Sequence, residues 1–164
     1  MISAPAGDDV KTIVYGVNDK TLTAADTIVS NASCTTNCVA PMLKVLDDAF
    51  GVHSGYLTTV HAYTATQSLL DEFNKEPNRS RAAALNIIPT TTGASKAVGK
   101  VMPQLKGRID GMALRVPVPT VSFTDLTVTI KKETSVEEIN ELFHAASQNE
   151  LKGILQYATA ELVS

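Results

Sequence analysis

The sequence has few of the features that mark secreted, membrane-spanning or nucleic-acid-binding proteins. Two cysteines in 164 residues exclude the dense disulfide framework of small secreted domains. No apolar run approaches the roughly 18 residues that a transmembrane helix needs, and no basic segment followed by an apolar one stands at the N-terminus. Runs of Lys and Arg that would follow a phosphate backbone are also missing, and the net charge is −3. We therefore expect a cytoplasmic protein that binds neither membranes nor nucleic acid.

The composition and the two ends indicate a globular chain cut from a longer one. Hydrophobic residues make up 44% and charged residues 19% of the sequence, as in soluble globular domains. Ile2 and Ser3, followed by Pro5 and Gly7, are typical of a strand that ends in a turn. The last residues, A-E-L-V-S, resemble a strand that has only begun. We expect a piece of a larger protein.

Hydrophobic periodicity predicts alternating strands and helices. Strands are expected over 12–17, 27–30, 55–66, 112–116 and 121–131, and helices from about residue 34 to 50 and over 94–102. Ser135 and Glu138 form a capping box that starts a third helix. Residues 68–81 follow neither period, and a polar segment of this length is usually functional. In the last strand the apolar positions change parity near Asp125, so a β-bulge there is expected to keep them on one face.

Both cysteines lie in the stretch S-N-A-S-C-T-T-N-C, residues 30–38. A strand that leads through this stretch into a helix places Cys34 in the first helical turn, where unpaired N–H groups and the helix dipole favour a thiolate. Ser33 or Thr35 would cap the helix and could donate to an anion beside the sulfur. Cys38 lies one turn further along and is expected to be a small buried residue.

Three alternatives to a reactive thiol are a metal site, a disulfide and two structural cysteines. A C-x-x-x-C spacing supplies two ligands where a structural zinc needs four, and no further cysteine or H-x-x-x-H completes a metal site. A disulfide between them is disfavoured in a reducing compartment. Structural cysteines with no chemistry are the commonest case, and it is the other polar residues of the chain that argue against it.

Four other features have both a structural and a chemical interpretation. His61 lies in a predicted strand, where a hydrogen-bonded core histidine is the usual explanation. Arg115 lies between apolar residues in A-L-R-V-P, so its guanidinium needs a carboxylate or a phosphate. Arg79 ends the polar segment and would by default face solvent. The turn I-P-T-T-T-G-A, residues 88–94, precedes a helix and could hold a phosphate at Thr92 and Gly93, although turn chemistry explains it equally well.

Together these residues resemble the phosphorylating glyceraldehyde-3-phosphate dehydrogenase family, of the bacterial type. The stretch S-N-A-S-C-T-T-N-C matches the active-site signature of that family. The segments T-V-H-A-Y-T-A-T-Q, N-I-I-P-T-T-T-G-A-S-K-A-V-G-K-V, G-M-A-L-R-V-P and T-V-S-F-T-D-L-T-V resemble its later landmarks, in the same order and with matching spacing. The resemblance covers essentially the whole chain.

This resemblance implies a role for each candidate residue. Cys34 would be the nucleophile that adds to the substrate aldehyde, and His61 would hold it as thiolate and then accept the hydroxyl proton. Inorganic phosphate would attack the resulting thioester. The residues that match the two anion pockets of the family are Ser33, Thr35, Thr92 and Gly93 for the attacking phosphate and Thr64 and Arg115 for the substrate phosphate, with Arg79 nearby.

The resemblance also implies an architecture and a cofactor. Residues 31–164 would form the catalytic domain, with its C-terminal part missing, as an α+β fold whose mixed, mostly antiparallel sheet has helices on one face. Residues 1–30 would be a remnant of the NAD-binding Rossmann domain, whose G-x-G-x-x-G turn and acidic ribose anchor we do not find. The parent enzyme would use NAD, with NADP not excluded, would contain no metal, and would form a homotetramer. A fragment without the main cofactor site is expected to turn over poorly.

Three other functions are compatible with these residues. Erythrose-4-phosphate dehydrogenase has a similar active-site block, although H-A-Y-T-A-T-Q and P-T-T-T-G-A argue against it. Cys34 and His61 would also suffice for a cysteine hydrolase, which would act without NAD or phosphate. Finally, the fragment could be a binding module without turnover.

Overall fold

A computed structural model describes all residues from 1 to 164 and shows a mixed α and β architecture. Three short 3-10 helices, over Asp19–Thr21, Pro77–Ser80 and Pro103–Leu105, accompany the longer elements. The three α-helices are α1 (Cys34–Phe50), α2 (Ala94–Val101) and α3 (Val136–Gln148), and none of them is both long and apolar enough to cross a membrane. The strands in chain order are β1 (Lys11–Thr12), β2 (Val29–Ser30), β3 (Val52–Ala62), β4 (Ile88–Thr91), β5 (Ile109–Val116) and β6 (Ser122–Ile130).

The main sheet has four strands in the order β4-β5-β3-β6. The central pair, β3 and β5, is parallel, while β6 and β4 each pair antiparallel with their neighbour. The predicted mixed and mostly antiparallel sheet is confirmed by these pairings. Because two parallel strands end at the same edge, the C-terminal residues of β3 and β5 lie side by side, with His61 opposite Arg115.

The helices pack on one face of this sheet. A cluster of 15 buried side chains joins α1 and α2 to the inner sides of β3 and β5, with Val39, Leu43, Leu57, Val98 and Ile109 among its members. Apolar residues of α3 pack against the same cluster. Burying this much apolar surface between helices and sheet is the main driving force for the fold. The result is a rigid platform beneath the end of the sheet where His61 and Arg115 stand.

The ends of two helices follow their sequence signals. The side chain of Ser33 accepts a hydrogen bond from the N–H of Thr36 and caps α1, and Gly51 ends it with a φ of 70°. At α3, Ser135 accepts from the N–H of Glu138, which confirms the predicted capping box. Helix α1 continues through Pro41 without interruption.

Two expectations for the strands were wrong. No register shift occurs near Asp125, and the irregularity lies instead in β3, between Val52 and Ser54. Without a bulge, Phe123 lies on the face opposite the helices, where it is 66% exposed. Both faces of this sheet therefore carry apolar residues. In addition, residues 88–91 form the strand β4 rather than a turn. Pro89 is compatible with a strand here because β4 is at the edge of the sheet.

The N-terminal residues form a separate small group of parallel pairs. Strands β1 and β2 pair in parallel, and Ile2 makes an isolated parallel bridge to Ser30. The regular strands here are shorter than the predicted runs over 12–17 and 27–30, since residues 14–17 turn away from the pair. This group leads directly into the loop before α1.

Candidate active site

Cys34 is held at the start of α1 by the loop that follows β2. The side chain of Asn37 donates to the carbonyl oxygens of Asn31 (2.7 Å) and Ser33 (2.9 Å). Between them, buried Ala32 has a φ of 59°, a left-handed conformation that alanine rarely adopts. The amide of Asn37 was not among the predicted site residues, although its place in the S-N-A-S-C-T-T-N-C stretch is the signal that could have shown it. These contacts fix the direction of the Cys34 side chain.

The thiol of Cys34 meets the imidazole of His61. The distance from Sγ to Nε2 is 3.2 Å, although the two residues are 27 positions apart in the sequence. His61 is 9% exposed at the end of β3, while Cys34 is exposed to solvent. A thiol within hydrogen-bond reach of a positioned histidine is the arrangement that nucleophilic cysteine chemistry requires.

Arg115 contacts the other ring nitrogen of His61. Its Nη1 lies 2.7 Å from Nδ1 of His61 and donates to the carbonyl oxygen of Ala62 at 3.0 Å. The Nε of Arg115 is buried without a hydrogen-bond partner in the chain. Burial, and secondarily the charge of Arg79, lowers the pKa of the Arg115 guanidinium, whereas the charge of Cys34 acts in the opposite direction. Arg115 is thus a partly desolvated cation on one side of the His61 ring, with the Cys34 thiol on the other.

A cavity of about 290 Å³ opens beside the thiol. Hydroxyl groups and cations dominate its lining, and no carboxylate is among the lining residues. Donors of this kind, together with the unpaired N–H groups at the start of α1, suit an anion. Besides Cys34, the polar side chains around the cavity are Thr12, Ser33, Thr35, Thr59, His61, Thr66, Arg79, Thr91, Thr92, Lys100 and Arg115.

The structure brings together all but one of the predicted site residues. Ser33, Thr35, Arg79, Thr92 and Gly93 line the same cavity as the thiol and its two basic neighbours. Thr64 does not line it, and its hydroxyl bonds instead to that of Thr66, which does. Thr66, Thr59 and Lys100 were missed because a lone threonine or lysine carries no local signal of its partners.

Arg79 reaches the cavity from the long polar segment. Its Nε donates to the hydroxyl of Thr90 at 3.1 Å and forms an ion pair with Glu76, also at 3.1 Å. The side chain is only 14% exposed, so the default expectation of a solvated arginine was wrong. Arg81, two residues later, is 64% exposed and pairs with Asp71.

The turn before α2 supplies the remaining wall. The hydroxyl of Thr92 accepts a hydrogen bond from the N–H of Ala94, which orders the start of the helix. Gly93 has an ordinary negative φ, and a Cβ there would meet nothing within 4 Å. Its backbone N–H rather than its missing side chain is therefore the group available to a ligand.

Cys38 differs from its expected place. The expectation of a buried filler was wrong, because the side chain is exposed on α1 one turn beyond Cys34. Neither cysteine is in a disulfide, and no group of three or more His, Cys, Asp or Glu side chains could hold a metal ion. His61 is the histidine that lies beside one of the two thiols.

Comparisons with known proteins agree on one family. The family described as "Glyceraldehyde 3-phosphate dehydrogenase, C-terminal domain" matches residues 33–164. The chain is 60% identical over its full length to a glyceraldehyde-3-phosphate dehydrogenase of Mycobacterium tuberculosis (strain H37Rv), of which it covers 48%. It is also similar to the enzymes of that name from Mycobacterium leprae (57% identical, 48% covered) and Cereibacter sphaeroides (54% identical, 49% covered). In each case the whole of this chain is matched, and it spans about half the length of the relative.

Proposed function

Because the chain belongs to the glyceraldehyde-3-phosphate dehydrogenase family, we propose that it carries the thiol and phosphate sites of a glycolytic oxidoreductase. The proposed reaction oxidises and phosphorylates D-glyceraldehyde 3-phosphate to 1,3-bisphosphoglycerate. One observation carries the proposal: Sγ of Cys34 lies 3.2 Å from Nε2 of His61, at the mouth of a cavity lined by hydroxyls and cations.

The first step is addition of Cys34 to the aldehyde. The thiol gives up its proton and the thiolate attacks the carbonyl carbon, so that a C–S bond forms as the π bond of the carbonyl breaks. The proton lost by the thiol is returned through solvent to the carbonyl oxygen, which becomes a hydroxyl group. For the negative charge that develops on this oxygen we propose two stabilising groups, the N–H of Cys34 and the imidazole of His61. The product is a hemithioacetal on Cys34.

Oxidation of the hemithioacetal requires a proton acceptor and a hydride acceptor. Nε2 of His61 accepts the hydroxyl proton. A nicotinamide dinucleotide, when bound, supplies the acceptor for the hydride that leaves the same carbon. The cavity beside Cys34 has the size of a small substrate with a phosphate, and the sequence contains no G-x-G-x-x-G turn. We therefore place the main dinucleotide site on residues of the parent protein outside this chain, with NAD as the oxidant.

The acyl group of the thioester is then transferred to inorganic phosphate. A phosphate oxygen attacks the acyl carbon, the C–S bond breaks, and Cys34 leaves as thiolate. For this phosphate we propose Ser33, Thr35, Thr92 and Gly93, and for the phosphate of the substrate Arg115, Thr64 and Arg79. The support is that all of these except Thr64 line one cavity. Thr64 is joined to it through its hydrogen bond to Thr66.

The domain division is part of the same proposal. We assign residues 31–164 to the catalytic domain and residues 1–30 to a remnant of a dinucleotide-binding domain. In support, the N-terminal segments pair in parallel, as Rossmann strands do, and stand apart from the four-stranded sheet. A cytoplasmic setting follows from the glycolytic reaction.

We further propose that the parent protein assembles as a homotetramer through the sheet face that the helices leave uncovered. Apolar side chains on this face include Tyr56, which is 46% exposed, and Phe123, which is 66% exposed. An uncovered apolar sheet face favours association. Replacing Phe123 with Asp should lower the mass of the parent protein measured by light scattering, whereas an unchanged mass would contradict this interface.

The catalytic proposal is tested with the parent protein and D-glyceraldehyde 3-phosphate. NADH should form only when phosphate or arsenate is present, and Cys34→Ser should abolish it while Cys38→Ser leaves it unchanged. Ester hydrolysis without NAD or phosphate would indicate a cysteine hydrolase instead. A higher kcat/KM with erythrose 4-phosphate would identify the alternative dehydrogenase.

A further inference from the structure

The two hydrogen bonds of Arg115 restrict the protonation of His61. A guanidinium only donates hydrogen bonds and stays charged in proteins. Since Nη1 of Arg115 lies 2.7 Å from Nδ1 of His61, Nδ1 must be the acceptor in this arrangement. The neutral ring then carries its proton on Nε2, the nitrogen that faces Cys34 at 3.2 Å. In this tautomer His61 can donate toward the sulfur but cannot accept a proton there.

A second acceptor competes for the same ring nitrogen. The carbonyl oxygen of Ala62 lies 2.7 Å from Nδ1 of His61, close enough to accept a hydrogen bond from a protonated Nδ1. Arg115 and a proton cannot occupy Nδ1 together. If Arg115 moves away, Nδ1–H can donate to Ala62, and Nε2 then presents a lone pair toward Cys34. The position of one guanidinium therefore decides which tautomer is favoured.

The surroundings of Arg115 give it a reason to move. Its Nε is buried without a partner, so the contact with His61 leaves one of its donors unsatisfied. Arg79 and Lys100 also line the cavity, where they are paired with Glu76 and Asp8. No carboxylate lines the cavity itself, so an anion there could accept from Arg115. Such an anion offers several acceptor oxygens and a compensating charge, which a neutral imidazole does not.

We propose that Arg115 is a positioning residue that couples anion binding to the tautomer of His61. When a phosphate group draws Arg115 from Nδ1, one proton moves from Nε2 to Nδ1 through solvent, and the charge of the ring is unchanged. Nε2 can then accept the proton of a hydroxyl on the carbon bonded to Cys34. This inference rests on the proposed function. A substrate without a phosphate would leave Arg115 on Nδ1, so that His61 would stay in the tautomer that cannot accept a proton at Nε2.

The test is the tautomer of His61, measured by long-range ¹H–¹⁵N NMR in the C34A variant of this chain. Removing the sulfur avoids a thiolate, which would hold the proton on Nε2 whatever Arg115 does. The measurement is made at about pH 8.5, where a typical imidazole is neutral. Inorganic phosphate is the probe, titrated to saturation of the chemical-shift changes.

We expect the Nε2–H form without phosphate and the Nδ1–H form at saturation. The ratio of the two forms should change by about tenfold or more, the factor that a charge-assisted hydrogen bond provides. With Arg115→Gln in addition, Nδ1–H should dominate with and without phosphate. With Arg81→Gln, which removes an exposed cation that does not line the cavity, the phosphate response should persist.

Three outcomes would overturn the proposal. They are a tautomer that phosphate does not change, an Arg81→Gln variant that behaves like Arg115→Gln, and a cavity that binds no phosphate. The comparison of the C34A chain with and without phosphate decides the matter even if the additional substitution at Arg115 or Arg81 prevents folding. Neither cofactor nor turnover is needed, so the NADH assay of the parent protein and this measurement can fail independently of each other.

Discussion

Nε2 of His61 lies 3.2 Å from Sγ of Cys34, and this contact joins the start of α1 to the end of β3. The thiol is on a helix N-terminus fixed by its cap, and the imidazole is on a central strand of the sheet. Both partners are therefore held by regular secondary structure rather than by mobile loops. A pair built in this way keeps its geometry when a ligand enters or leaves the cavity beside it.

Replacing His61 with Asn should slow the reaction without unfolding the site. Asparagine retains hydrogen-bonding groups but cannot act as a base near neutral pH. We expect kcat of the parent protein to fall by about a hundredfold to ten-thousandfold, the usual range for loss of a general base. His53→Asn, which changes an exposed histidine of the same strand, is the control. Equal losses in both variants would contradict the assigned role.

Arg79 and Arg81 should respond differently to the same substitution. Arg79 is 14% exposed and lines the cavity, whereas Arg81 is 64% exposed. Losing a charge-assisted hydrogen bond to a phosphate should raise KM for the phosphorylated aldehyde or for phosphate by about tenfold or more in Arg79→Gln. Steady-state kinetics of Arg81→Gln should remain within about twofold. A similar rise in both would show a general charge effect.

Two serine caps separate the stability of a helix from the chemistry at its end. Ser33 caps α1 and Ser135 caps α3, each by accepting one N–H bond. Alanine at either position should lower the free energy of unfolding by about 1 kcal/mol. Only Ser33→Ala should also slow labelling of Cys34 by iodoacetamide, because Cys34 is the next residue. Unequal denaturant midpoints with equal labelling rates would be the opposite result.

Asp26 should make stability depend on pH in the acid range. Its carboxylate accepts hydrogen bonds from Lys11 and from Thr23, which lower the pKa of Asp26 from 3.8 to about 2. Because the folded-state pKa is the lower one, the stabilisation is complete above about pH 4 and is lost as the pH falls toward 2. The gap in Tm between the unchanged chain and Asp26→Asn should therefore narrow over that interval. A gap that widened toward pH 2 would contradict it.

Local sequence patterns predicted the elements better than their pairing. The capping box of α3 depends on Ser135 and Glu138, which are neighbours in the sequence, and it was confirmed. Strand β4 was missed because Pro89 and its two threonines are as typical of a turn as of an edge strand. The bulge expected near Asp125 was wrong because Phe123 belongs to the uncovered face. Which face of a strand is buried depends on what packs there, and a single strand does not encode it.

The candidate site shows the same division. The place of Cys34 at a helix N-terminus could be predicted from S-N-A-S-C-T-T-N-C, since strand, cap and helix are contiguous. The contact between Arg115 and His61 could not be, because it depends on the register of two strands 54 residues apart. Arg79 could be assigned to the phosphate-binding residues only through the family resemblance, since its partner Thr90 lies on another element and no local pattern links the two.

The parallel pairing of β3 with β5 also sets the order in which reactivity can be acquired during folding. Pairing β3 with β5 closes the long loop between them, which costs chain entropy before the new contacts compensate for it. Non-local parallel pairs therefore form late. Helix α1 can form from local interactions, so the Cys34 thiol is in its helix before His61 and Arg115 are in position. During refolding, the rapid labelling of Cys34 should therefore develop only as the sheet closes. The labelling rate of Cys34 therefore reports when folding is complete, and the measurement needs no substrate.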